Sequence, residues 1–120
     1  MVLYFSGTGN SEFVARRVAE IAGDDVFSLN EAIKSEKPGE FRSEKPWVFV
    51  CPVYAWRMPR IVEDFIEKST FTGCAGAYVL MTCGESAGTA GDRAKILLES
   101  IGLTFLGFSA VKMRENDSAR

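Results

Sequence analysis

The chain has 120 residues, a formal net charge of −2, 47% hydrophobic and 25% charged residues, the composition of one globular domain with a single core and no basic footprint for nucleic acid or an anionic lipid surface. No apolar run approaches the length of a membrane span. Three widely spaced cysteines and no histidine leave a structural zinc site without ligands and remove the side chain that usually moves protons near neutral pH, so chemistry carried by a bound cofactor is easier to support than side-chain catalysis.

The first predicted strand is Val2-Leu3-Tyr4-Phe5, a run of apolar β-formers that starts too early to leave room for a signal peptide. With cysteines suited to a reducing compartment, this predicts a cytoplasmic protein. After it comes Ser6-Gly7-Thr8-Gly9-Asn10-Ser11, then a helix to Ala22 with Val14, Val18, Ile21 and Ala22 at helical spacing. Such a loop brings backbone N–H groups to a helix N-terminus, where the peptide dipoles favour negative charge. It has no Lys for a triphosphate loop. Gly7 and Gly9 fit the first two positions of a dinucleotide fingerprint, but Glu12 stands at the third, where its carboxylate would repel a pyrophosphate. The loop therefore suits one terminal phosphate monoester, held without a cationic side chain, although a glycine-rich turn that binds nothing has the same local pattern.

Asp25-Val26-Phe27-Ser28-Leu29 reads as a short second strand, and Asn30 as the cap of a brief helix over 31–34. The polar stretch Ser35 to Pro46 reads as a surface loop. Trp47-Val48-Phe49-Val50-Cys51 is continuously apolar, as a central parallel strand covered on both faces should be. The aromatic loop Pro52-Val53-Tyr54-Ala55-Trp56-Arg57 follows, then a helix opened by Pro59 with Ile61, Val62, Phe65 and Ile66 facing the core. Ala77 to Thr82 is a fourth buried strand, leaving through Cys83-Gly84-Glu85-Ser86-Ala87-Gly88 into a helix with Ala90, Ala94, Leu97, Leu98 and Ile101 on its inner face and Gly102 at its end. Leu103 to Met113 is a fifth strand, bent or bulged at Gly107, and Arg114 to Arg120 reads as a polar tail.

Five strands alternating with helices predict one α/β domain over 1–120, built on an open, doubly wound parallel sheet. In the strand order 2-1-3-4-5, the loops after strands one, three and four lie side by side at the carboxyl edge, where ligands of such sheets bind. These are the glycine-hydroxyl loop, the aromatic loop and the Cys-Gly-Glu-Ser loop.

The segment from Ser6 to Ser11 resembles the FMN-phosphate loop of the flavodoxin family, Ser/Thr-x-Thr-Gly-x-Ser/Thr directly after the first strand. The resemblance implies a flavodoxin-like fold, FMN as cofactor and electron transfer. The phosphate is then met by Ser6, Gly7, Thr8, Gly9, Asn10 and Ser11, and the ring by the loop Pro52, Val53, Tyr54, Ala55 and Trp56, with at least one of the two large rings stacked on it. Thr82, Cys83, Gly84 and Glu85 are similar to the flavodoxin loop that hydrogen-bonds the pyrimidine edge; a plain strand-to-helix turn with Ser86 or Thr89 as cap accounts for the same residues.

The sequence departs from flavodoxins in three respects. Ala87-Gly88 stands where they carry a stacking Tyr, so one flavin face is expected to be bare or covered by a partner. The aromatic loop lacks the Gly that lets a peptide turn over beside the flavin, and Ala55 and Arg57 are expected to resist positive φ. The chain also stops where a fifth helix would begin, so the last helix is missing and the chain is expected to be the truncated or N-terminal part of a longer one.

Tyr-Ala-Trp-Arg-Met-Pro-Arg after strand three resembles a bacterial group whose flavodoxin domain precedes a two-cluster ferredoxin domain, but no ferredoxin cysteines are present. The expected partner is a redox protein or a fused ferredoxin domain outside this chain, with a second copy as an alternative cover for the face without a last helix; no nucleic acid or membrane partner is expected. Other readings are an FMN-dependent quinone or small-molecule reductase, a cofactor-free interaction module, and a cysteine phosphatase suggested by the spacing of Cys51 and Arg57. Against the last, Pro52 removes an N–H from the would-be cradle.

Overall fold

In the computed structural model, residues 1–84 and 86–113 are described. The elements in chain order are β1 (Val2–Tyr4), α1 (Asn10–Ala22), β2 (Val26–Ser28), α2 (Leu29–Lys34), β3 (Glu40–Ser43), β4 (Trp47–Pro52), α3 (Arg60–Lys68), β5 (Thr70–Gly73), β6 (Gly76–Cys83), α4 (Ala90–Ser100) and β7 (Thr104–Lys112). The expected polar tail lies outside the described residues.

The main sheet has the order β2-β1-β4-β6-β7, with every neighbouring pair parallel. It is the order expected from the sequence, with the five predicted strands in the predicted places. Alternation along the central strands sends side chains to both faces, and each face carries a buried apolar cluster. Trp47, Phe49 and Cys51 of β4, with Leu3, Val79 and Met81, meet Leu29 of α2, Val62, Phe65 and Ile66 of α3, and Ala90, Ala94 and Leu98 of α4. On the opposite face Val2, Tyr4 and Val50 pack against Val14, Ala15 and Ala19 of α1. Burial on both sides is why these strands read as unbroken apolar runs.

Ile21, Ala22 and Ile61 are exposed instead of facing the core. The buried residues of α1 end at Ala19, before Ile21 and Ala22, and in α3 the buried face is Val62, Phe65 and Ile66. Along β7, Ala77 of β6 faces Phe105 while Tyr78 faces Gly107, leaving Leu106 as an extra residue, so the bulge falls beside the expected glycine.

The stretch from Ser35 to Pro46 is not wholly a loop. Glu40–Ser43 pairs in parallel with Thr70–Gly73 as a separate two-stranded sheet. Phe41 supplies its apolar anchor, stacking on Phe71 at 5.5 Å and meeting Phe27 and Phe65 edge-on. A strand with one large apolar residue and a partner far along the chain carries no local periodic signal.

Among the described residues α1 alone covers its face, and at the β6–β7 side of that face Tyr78 is exposed while Leu80, Val111 and Met113 are half-buried. Among the described residues no helix is long and apolar enough to cross a membrane.

Candidate functional site

The carboxyl ends of β1, β4 and β6 are adjacent in the sheet, so the loops 5–9, 53–59 and 84–89 leave from one rim. In the first loop, Phe5 N–H still donates to Val50 O (2.9 Å), extending the ladder before the chain turns. The Ser6 hydroxyl then accepts from Gly9 N–H at 2.8 Å. Gly9 takes φ +99° as the N-cap residue of α1, a conformation glycine adopts without Cβ strain. No side chain caps this helix, and the first N–H groups of a helix have no intrahelical acceptor, so α1 presents a ready anion site beside the exposed Gly7 and Thr8. Asn10 keeps its Oδ1 buried without a partner among the described residues. Glu12, the carboxylate of the first turn, accepts from Arg16 Nε at 2.8 Å on the outer surface of α1; that bond and the nearby Tyr4 raise the Arg16 pKa.

Ser11 turns its hydroxyl inward. Its Oγ lies 3.1 Å from Thr82 Oγ1, with Ser11 2% and Thr82 4% exposed, so the two residues join the first turn of α1 to the end of β6. What Ser11 can offer the rim is its backbone N–H.

In the second loop, Val53 N–H donates to Thr82 O (3.0 Å), continuing the ladder past Pro52. Tyr54 and Arg57 then exchange two backbone hydrogen bonds, at 2.7 and 3.1 Å, around Ala55 at φ +51° and Trp56 at φ +61°. The expectation that Ala55 resists positive φ is overturned, whereas Arg57 does not adopt it. Two consecutive non-glycine residues occupy the left-handed region, as a tight two-residue turn with the twist of a hairpin requires, at a strain on the order of 1 kcal/mol or more each. The loop is held at its base: Met58 and Pro59 are buried, and the Arg57 guanidinium pairs with Glu63 of α3, their side chains 25% and 13% exposed. Arg57 Nε is buried without a partner among the described residues. Arg57 is thus an anchor of the turn against α3, and it does not face the rim.

Tyr54 and Trp56 are 52% and 65% exposed. The Tyr54 hydroxyl lies over Gly7, where an added Cβ would stand 3.5 Å from it, and the Trp56 indole lies over Gly88. The aromatic loop therefore touches the first loop with one ring and the third with the other. In the third loop Gly84 has open space around it, Gly88 (φ +57°) donates its N–H to Ser86 Oγ at 3.0 Å, and Ala87 is buried. Thr89 is the N-cap residue of α4 but makes no side-chain capping bond. Glu85 lies outside the described residues.

Cys51 is fully buried, and burial first, with the Glu63 carboxylate second, pushes its thiol pKa far up. All three cysteines are free thiols. With a buried neutral thiol and Arg57 committed to Glu63, the phosphatase arrangement is not assembled.

Local pattern did not single out Glu63, and it named Asn30 and Gly88 only as a helix cap and as part of the segment without a stacking Tyr. Asn30 is not the cap expected of it: it lies inside α2, whose N-cap is Ser28, and its carboxamide holds the backbone of Ser6 from both sides, with Oδ1 accepting from Ser6 N–H at 3.1 Å and Nδ2 donating to Ser6 O at 2.8 Å.

No protein-family model matches the chain, and no curated protein matches it. Among solved structures it is similar to a putative flavoprotein from Bacteroides uniformis, with 18% identity and a TM-score of 0.71 over 98% of this chain and 92% of that one. The two-electron reduced flavodoxin of Megasphaera elsdenii matches at 21% identity and a TM-score of 0.60, over 98% and 90% of the two chains. The general stress protein 14 of Treponema denticola, solved in complex with FMN, matches at 8% identity and a TM-score of 0.63, over 98% and 88%. The chain has the flavodoxin-like fold.

Proposed function

We propose that this chain binds FMN at the rim of its sheet and serves as an electron-transfer domain of the flavodoxin family. The observation that carries the reading is the pairing, on one rim, of an uncapped helix N-terminus in a loop without cationic side chains and two large aromatic rings held out on a clamped turn.

The residues fit the cofactor. A phosphate monoester matches the N–H groups at the start of α1, with the Thr8 hydroxyl and the Asn10 Nδ2 amide as side-chain donors and Gly9 leaving the approach open. Exposing Tyr54 and Trp56 to water costs the free energy their burial would otherwise gain, a cost that a planar ring laid on one of them recovers. Gly84, at which an added Cβ would meet none of the described residues within 4 Å, lets backbone come close to the ring edge. When bound, FMN supplies the one- or two-electron chemistry. The chain's own part is to hold the phosphate by dipoles, to shield one ring face with an aromatic side chain, and to keep the thiol of Cys51 out of the redox site by burial. The partner for such a domain is another redox protein, separate or fused as a ferredoxin domain, in a reducing cytoplasm.

The test is direct. The purified protein is expected to carry flavin absorption bands, or its apoprotein to quench FMN fluorescence with a dissociation constant of about 1 μM or tighter, worth about 8 kcal/mol. Riboflavin, lacking the phosphate, should bind more weakly. Absence of binding at high micromolar FMN overturns the reading. Steady quinone turnover with a nicotinamide reductant would favour the reductase instead.

A further inference from the structure

Asn30 grips both hydrogen-bonding groups of one peptide backbone 24 positions away in sequence. Its own geometry is set on three sides. Ser28, the residue before α2, pairs with Tyr4 in the β1–β2 ladder. The Ser28 hydroxyl accepts from Asn30 N–H at 3.3 Å and lies 3.4 Å from Asn30 Oδ1. Between them Leu29 is buried in the core. The carboxamide therefore projects from a fixed base, and its two ends are told apart by what they meet: an N–H at Oδ1, a C=O at Nδ2.

The consequence for the first loop follows from Ser6. The orientation of its backbone determines where its hydroxyl points, and that hydroxyl accepts from Gly9 N–H at 2.8 Å, folding the loop onto itself just before α1. Releasing Ser6 would free the segment between β1 and α1, whose Gly7 and Gly9 impose little conformation of their own. In a loop without a cation, anion affinity comes from an array of N–H groups, and its strength depends on their being aimed before the anion arrives.

We propose that Asn30 is the positioning residue of the first loop: through its two-point hold on Ser6 it presets the N–H groups at the start of α1 for a phosphate monoester. The identity of the ligand rests on the FMN reading; the hold on the loop does not.

Amide hydrogen exchange of the apoprotein, together with flavin titrations, tests it. Gly9 N–H, protected by the Ser6 hydroxyl, should exchange at least tenfold faster in Asn30→Ala, while Phe5 N–H, bonded to Val50, keeps its protection. Ser35→Ala, which removes the bond from the Ser35 hydroxyl to Ala32 O at the other end of α2 and touches neither Asn30 nor Ser6, separates this from fraying of α2 and should leave Gly9 within about threefold of the parent. If Asn30→Ala does not fold, Asn30→Asp gives the same readout: it keeps an acceptor for Ser6 N–H and sets an oxygen against Ser6 O. In the titrations Asn30→Ala should weaken FMN at least tenfold and riboflavin less than threefold. Unchanged Gly9 exchange, equal loosening by Ser35→Ala, or equal loss of FMN and riboflavin affinity overturns the proposal. A parent protein that binds neither flavin overturns the FMN reading, and the Gly9 exchange rates still decide the role of Asn30.

Discussion

The indole of Trp56 rests on Gly88: a Cβ built on that glycine would stand 2.7 Å from Trp56 Cδ1 and 2.8 Å from Cγ. With no side chain at this position, the ring of the preceding loop uses the space. This contact joins two of the three loops of the rim.

Gly88→Ala should therefore displace the indole as well as strain a residue at φ +57°. The expected loss is about 1–2 kcal/mol of stability, measured by denaturant unfolding. Trp47 is fully buried and Trp56 is exposed, so their emissions separate, and the Gly88→Ala difference spectrum should vanish in a Trp56→Phe background. A change that survives in that background would place the perturbation elsewhere.

The Arg57–Glu63 pair holds the base of a strained turn. Glu63→Gln leaves a partly buried guanidinium without its counter-charge, and the expected cost is about 1–3 kcal/mol, below that of a fully buried pair. The turn should loosen with it, seen as faster exchange of Arg57 N–H, which is bonded to Tyr54 O at 3.1 Å. Stability equal to the parent's would mean that the pair contributes nothing to holding the loop.

Ser11 and Thr82 form a buried hydroxyl pair. Ser11→Ala and Thr82→Val each orphan one hydroxyl, at about 1–2 kcal/mol, and the double variant should cost less than the sum by about 0.5–1.5 kcal/mol. In flavin titrations Ser11→Ala should leave the ratio of FMN to riboflavin affinity near the parent value, because its hydroxyl is spent on Thr82. Strict additivity, or a collapse of that ratio, contradicts this role.

Cys51 lies 1% exposed, its thiol pushed up first by burial and then by Glu63. Below that raised pKa it stays the neutral thiol, so between pH 7 and 9 alkylation of the native protein should label Cys74 and Cys83, both half-buried, well before Cys51. Mass spectrometry of the digest reads the order. Early labelling of Cys51 would show that the core between β4 and α3 opens readily.

Much of the architecture is legible in the residues themselves. Trp47 to Cys51 and Ala77 to Thr82 are too continuously apolar for anything but strands buried on both faces, and Val62, Phe65 and Ile66 recur at helical spacing with Pro59 before them. Phe41 was legible only as an isolated apolar residue, because its strand exists by pairing with Thr70–Gly73. Ala55 was read as a residue that avoids the left-handed region, and its neighbours overrule that preference: two hydrogen bonds between Tyr54 and Arg57 and the grip of Glu63 close a turn that local sequence disfavours.

The sequence by itself determined the order of the five main-sheet strands and of the helices, the two-faced core and the composition of the three loops, because these follow from local periodicity and from which side chains leave water. Tertiary structure alone decided which polar atoms meet: Asn30 with Ser6 across 24 positions, Ser11 with Thr82 across 71, Trp56 with Gly88. Hydrogen bonds and ring contacts act over a few ångströms, and only the closing of the sheet brings such distant residues within that reach.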